Sequence, residues 1–181
     1  MTQKPKVFNK RIVAKSQLFC IEAMDIEFSN GQRREYERLA RTRPTGAVLI
    51  VPILNKDTVL LIREYSAGVD RYELGLAKGK IDSGEAVLDA ANRELKEEVG
   101  YGARKLHHLA SLSIAPAYME HMIELVVAED LYEQRLQGDE PEELEVVPWR
   151  LNDIQGLLAT GECTEARSIA ALYMARDYLR V

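Results

Sequence analysis

Between Gly79 and Tyr101 the chain reads GKIDSGEAVLDAANRELKEEVGY, and no other stretch limits the fold as strongly. A turn-prone lead-in (Gly79, Asp82, Ser83, Gly84) precedes an uninterrupted helical pattern. The pattern ends at Gly100, the residue type that closes helices in a left-handed conformation. On a helix, Leu88, Ala91, Leu95 and Val99 share one stripe, which needs a core to cover it. Glu94, Glu97 and Glu98 share an adjoining face as i, i+3 and i+4 neighbours. Three carboxylates there repel by a few tenths of a kcal/mol per pair unless a cation stands between them. An acidic helix face often does no more than meet water. The other use is a hard divalent cation, since Mg²⁺ is held by one or two carboxylates together with substrate phosphates.

The rest of the chain reads as alternating strands with helices returning at the end. Phe19 to Phe28 is strand-like, and Asn30-Gly31 before the charged run to Leu39 signals a hairpin. The second arm carries Arg33, Arg34, Glu35, Glu37 and Arg38, so it is exposed or lies against another subunit. After a short linker at 41–44, AVLIVPI and TVLLIREY flank a tight turn and suit central strands. Pro52 marks an edge or bulge. Arg63 closes an apolar strand, either as a strand-end charge in water or as a guanidinium for phosphate or base. Leu109 to Ile114 and Ile123 to Ala128 read as strands around Ala115-Pro116-Ala117. QGDEPEELE at 137–145 is an acidic loop, and Val146 to Trp149 is a last strand. Leu151 to Leu158 and Thr164 to Leu179 read as helices, the latter with Thr164 as N-cap. This order predicts a mixed sheet with helices on two faces.

Composition narrows the partners. A chain of 181 residues suggests one domain with a good core. The net charge of −5 argues against binding to nucleic-acid backbones or anionic membrane surfaces, and no apolar run approaches a membrane span. Cys20 and Cys163 form no framework, which points to a reducing cytoplasm. His107, His108 and His121 lack metal-ligand spacing and read as surface or packing residues.

Gly79, Glu85, Arg93, Glu94, Leu95, Glu97, Glu98 and Gly100 fit G-x5-E-x7-R-E-U-x-E-E-x-G-U, where U is a bulky aliphatic residue; Tyr101 departs at the final position. The stretch resembles the box of the Nudix hydrolases, which cleave nucleoside diphosphates linked to another moiety. Pro116, fifteen residues after Tyr101, resembles a mark of the ADP-ribose pyrophosphatase group, although the usual S-P-G is here Ala115-Pro116-Ala117. FSNGQRREYER, LIREYSAGVDRYELGLAKGKIDSGE, AANRELKEEVGYGA and GDEPEEL are similar to the bacterial ADP-compounds hydrolases. ELGLAKG stands where ADP-ribose enzymes often carry E-x-P-A-G, so Gly75 replaces proline and Lys78 precedes the glycine.

The resemblance implies an α/β fold, an α/β/α sandwich with a mixed sheet and an N-terminal β-hairpin extension. Residues 1–45 would be that extension, dimerising, and 46–181 the hydrolase domain with its box at 79–101. It implies Mg²⁺, with Mn²⁺ as a substitute, held by Glu94 and Glu98, with Glu97, Glu142 and a backbone carbonyl near Gly79 as further ligands. Arg93 would orient Glu97. Glu140 of the acidic loop would be the base, with Glu97 as the alternative. Arg63, Arg38 and Pro116 would meet substrate. The implied substrates are ADP-ribose, NADH and short diadenosine polyphosphates, with AMP released from the first two, by a cytoplasmic homodimer. A nucleotide sugar is the alternative substrate. A non-catalytic ADP-ribose-binding module usually lacks box glutamates, and none is missing here.

Overall fold

The computed structural model describes residues 3–41 and 45–180; residues 42–44 of the expected linker and the last residue lie outside them. The chain divides into two compact units, one of residues 1–44 with 113–122 and one of 45–112 with 123–181.

In the smaller unit, strands β1 (Lys6–Lys15), β2 (Cys20–Glu27) and β3 (Arg33–Leu39) form an antiparallel sheet in the order β1-β2-β3. The expected hairpin is β2–β3, turned at Gly31 with φ +78°. β1 was not expected. It is exposed along nearly its whole length, and its register against β2 shifts twice, so no alternating pattern marks it in the sequence. Within this unit Leu39 also bridges to Met119 of the 113–122 segment.

The larger unit is built on β4 (Ala47–Asn55), β5 (Thr58–Ser66), β6 (Arg71–Gly75), β7 (Lys78–Lys80), β8 (Tyr101–Ser113), β9 (Met122–Glu133) and β10 (Glu145–Arg150). The sheet runs β10-β5-β4-β9-β8, with β6 on β5 and β7 on β4. β4 and β9 are parallel; the pairings of β4 with β5 and β7 are antiparallel. Ahead of Pro52, β4 pairs with β7, and behind it with β5. The proline, which cannot donate to a ladder, sits where the partner changes, so a central strand tolerates it. β8 begins at Tyr101, eight residues before the expected strand start, because its polar first half gives little periodic signal.

Helix α1 (Val87–Glu94) runs on into a π-turn, Leu95–Val99, closed by Gly100 at φ +82°, whose N–H bonds to the Leu95 carbonyl. α2 (Ile154–Ala159) follows a 3₁₀ turn, and α3 (Ala166–Leu179) ends the chain. Alternation along β4 sends Val48 and Ile50 to the α1 face, with Leu95, and Leu49 and Val51 to the α2 and α3 face, with Leu157 and Leu172. All are buried, and each such aliphatic side chain contributes about 1.5–3 kcal/mol. This is the α/β/α sandwich with a mixed sheet. Two local expectations fail. Leu88 is exposed, and its place in the core is taken by Ala90. Thr164 does not cap α3; the capping position is Glu165, and Thr164 instead donates to Glu73. Among the described residues no helix is long and apolar enough to cross a membrane.

Candidate active site

Pairing of β7 with β4 brings Gly79 alongside α1. A Cβ built on Gly79 would lie 1.9 Å from the carboxyl carbon of Glu94 and 2.1 Å from both of its oxygens. The Glu94 carboxylate fills the notch where a side chain would stand, so any Cβ at position 79 would displace it. Glu98, one turn on, accepts the Lys78 backbone N–H at 3.0 Å. Both glutamates are buried, at 8% and 6% exposure. Burial pushes the Glu94 carboxyl up, against the pull of Arg93 and with the help of Glu97 and Glu140. Burial pushes Glu98 up to about 8, opposed by Lys78 and assisted by Glu94 and Glu64. Two carboxylates held where burial opposes their charge are costly for folding alone, and their hard oxygens suit Mg²⁺.

Arg93 ties the surroundings together. Its Nη1 donates to Glu94 at 2.8 Å and to Glu97 at 3.0 Å, while Nε and Nη2 reach the two oxygens of Glu85 at 2.9 and 3.0 Å. A further bond runs from Nη2 to the Lys80 carbonyl. These bonds, Glu85 first, raise the Arg93 pKa still further and lower that of Glu85. Glu85 also accepts the Asp82 N–H, so it ties the lead-in turn to the helix.

The acidic loop reaches the same region. Glu140 is half-buried, its carboxylate lies against Gly138, and its charge acts on Glu94. Glu142 accepts the Tyr72 hydroxyl at 2.7 Å, and Tyr72 leans edge-on against Tyr65, 5.6 Å between centroids. Hydrogen bonding to Glu142 raises the Tyr72 pKa.

The expected residues are not all gathered. Among the described residues, no three His, Cys, Asp or Glu side chains converge as a ready metal cage. Arg93 draws on Glu94 and Glu97, and Tyr72 holds Glu142. Arg63 does not point a free guanidinium at a ligand: it binds Glu145 at 2.8 Å and Glu162 at 3.3 Å. Arg38 and Pro116 belong to the smaller unit, where Arg38 pairs with Glu22 and Glu120 and Pro116 lies in the turn closed by Tyr118 N–H on Ala115. Sequence reasoning passed over Tyr72 and the side chain of Lys78, whose Nζ pairs with Glu64 at 2.6 Å. The Lys-Gly of ELGLAKG was the available signal for the second; nothing local marked the first. His108 pairs with Glu124 and His107 stacks on Tyr178, away from any metal-ligand grouping.

The NUDIX domain family matches residues 43–172, and the NudE-type Nudix hydrolase N-terminal domain matches 5–38. The chain is 52% identical over 180 residues to the ADP compounds hydrolase NudE of Escherichia coli (strain K12), covering 98% of this chain and 95% of that one. It is 26% identical over 174 residues to an ADP-ribose pyrophosphatase of Bacillus subtilis (strain 168), covering 92% of each. A crystal structure of an ADP compounds hydrolase superposes with a TM-score of 0.92 at 50% identity, over 99% of this chain and 96% of that one.

Proposed function

The chain belongs to the NUDIX domain family, with a NudE-type N-terminal domain, and from that premise we propose that it hydrolyses the diphosphate linkage of ADP-containing compounds. The reading covers ADP-ribose, NADH and short diadenosine polyphosphates, with AMP released from the first two and Mg²⁺ as the metal. The observation that carries it is the Glu94 carboxylate seated in the Gly79 notch beside buried Glu98.

Glu94 and Glu98 would hold the metal, with the Gly79 carbonyl, Glu97 and Glu142 completing its surroundings. A divalent cation bound there would neutralise charge on the phosphates and acidify water. Arg93 fixes the rotamers of Glu94 and Glu97 through its hydrogen bonds. Glu140 takes the proton of the attacking water, a role supported by its reach to the Glu94 region on a loop that glycine lets fold back. Arg63 meets substrate by exchanging one of its two carboxylate partners for phosphate.

The assembly we propose is a cytoplasmic homodimer with residues 1–45 as the dimerising extension; Arg38 of that extension and Pro116 of the 113–122 segment are the proposed substrate contacts from the smaller unit. The smaller unit leaves Val7, Ile12, Val13 and Phe19 exposed, which supports a partner for its sheet. Two free, buried cysteines suit a reducing compartment. Product identification by mass spectrometry for ADP-ribose, NADH and a diadenosine polyphosphate, with and without Mg²⁺, tests the activity. Absence of AMP from all of them with metal present overturns it.

A further inference from the structure

Beside the buried glutamates the larger unit contains a cavity of about 220 Å³, and Lys78 belongs to both places. Its backbone N–H is bonded to Glu98, while its side chain lines the cavity and pairs with Glu64. Ile62, Val69 and Leu74 give the cavity apolar wall, and Ser66 and Thr164 add hydroxyls. Its volume is below the ~300 Å³ at which whole-ligand sites begin, so it suits part of a substrate.

The chemistry of the walls selects which part. Among the residues that line the cavity none is aromatic, whereas bases are commonly stacked on aromatic faces or guanidinium planes. An ammonium carries three N–H donors, and Lys78 has one engaged with Glu64, leaving capacity for a phosphate oxygen. Glu64 is acceptor-only when ionised, which suits sugar hydroxyls. Glu73 is already committed to Thr164 and Arg71 and serves as wall rather than ligand.

We infer that this cavity is the subsite for the sugar-phosphate half of the substrate, the half released opposite AMP, with Lys78 on its phosphate and Glu64 on its hydroxyls. The inference rests on the pyrophosphatase reading above and assigns its leaving half a place. It also makes Lys78 a determinant of which ADP compound is accepted, because the adenylate half is common to all of them.

The test is calorimetric titration of the full-length protein, in Mg²⁺, with ribose 5-phosphate and separately with AMP. K78M keeps the backbone N–H on Glu98 and removes only the ammonium. It should weaken ribose 5-phosphate at least tenfold and AMP less than threefold. A second variant, G68L, adds a bulky side chain at a residue that lines the cavity and where an added Cβ meets no atom within 4 Å. It should show the same selectivity, and decides the matter if K78M does not fold. Equal weakening of both ligands, unchanged ribose 5-phosphate binding in the folded variants, or no ribose 5-phosphate binding by the unaltered protein overturns the assignment. Failure of the activity itself is read separately, as no AMP release from ADP-ribose by the unaltered protein.

Discussion

Replacing Gly79 by Ala isolates one contact. Gly79 is not among the residues with positive φ, so alanine is not strained by the backbone. The added Cβ would stand 1.9 Å from the Glu94 carboxyl carbon, and ordinary contact begins near 3.4 Å, so that carboxylate must retreat by about 1.5 Å. It is the far end of a flexible side chain, and a side-chain readjustment of this kind costs about 0.5–1.5 kcal/mol. For a domain of this size that is a loss of roughly 1–6 °C in Tm. Chemistry has less tolerance. Metal–ligand distances hold to about 0.2 Å, and a misplacement of ~1 Å costs about 10²-fold in rate. G79A should therefore remain folded while its kcat/KM for ADP-ribose falls ~10²-fold, about 2.7 kcal/mol of transition-state stabilisation. AMP release across a Mg²⁺ titration, beside a thermal melt, reads both numbers. The double variant G79A/E94Q adds the decisive comparison. If Gly79 acts through Glu94, the double variant is no worse than E94Q alone. Activity of G79A within threefold of the parent, or additive losses in the double variant, would show that the notch does not seat a working carboxylate.

Three further outcomes follow from the same geometry. Because the folded Glu98 carboxyl sits at about 8 rather than 4.5, the metal-free protein binds more protons folded than unfolded in that interval. Its stability should fall as pH rises from 5 to 8, and E98Q should flatten that fall in pH-dependent melts and abolish stabilisation by Mg²⁺. E140Q should lower turnover by ~10²- to 10⁴-fold with Mg²⁺ affinity unchanged in calorimetry; normal turnover would return the base to Glu97. Y72F removes the hydroxyl bonded to Glu142 and should raise the Mg²⁺ concentration for half-maximal rate about fivefold, the worth of about 1 kcal/mol, with the melt unmoved.

The sandwich was legible because its signals are local. The apolar runs of β4 and β5 declare strands buried on both faces, and Gly100 declares the end of a helix. The box glutamates were likewise legible from spacing. What lay outside reach depends on neighbours distant in the chain. β1 borrows its pairing from β2 and shows no burial pattern. Arg63 looked available until Glu145 and Glu162, more than 80 positions on, were brought to it. Tyr72 meets Glu142 across 70 positions. A spacing argument placed Arg93 near Glu97, but its further engagement with Glu85, Glu94 and Lys80 required the lead-in turn to fold back on the helix.

The wide turn at Leu95–Val99 stores one residue of slack. Its closing bond spans one residue more than an α-helical bond would, so the segment carries a surplus residue on the way to Gly100. Deleting one residue there would let the backbone relax into regular helix with the same glycine at its end. Each residue of an α-helix advances the bearing by about 100°, so a deletion ahead of Glu98 would swing it away from Lys78 and carry its buried neighbour Val99 with it. Residue count in this turn therefore works as a vernier on the compass bearing of one carboxylate. A length change that a surface loop would absorb would here detune the chemistry and the packing of Leu95 and Val99 together.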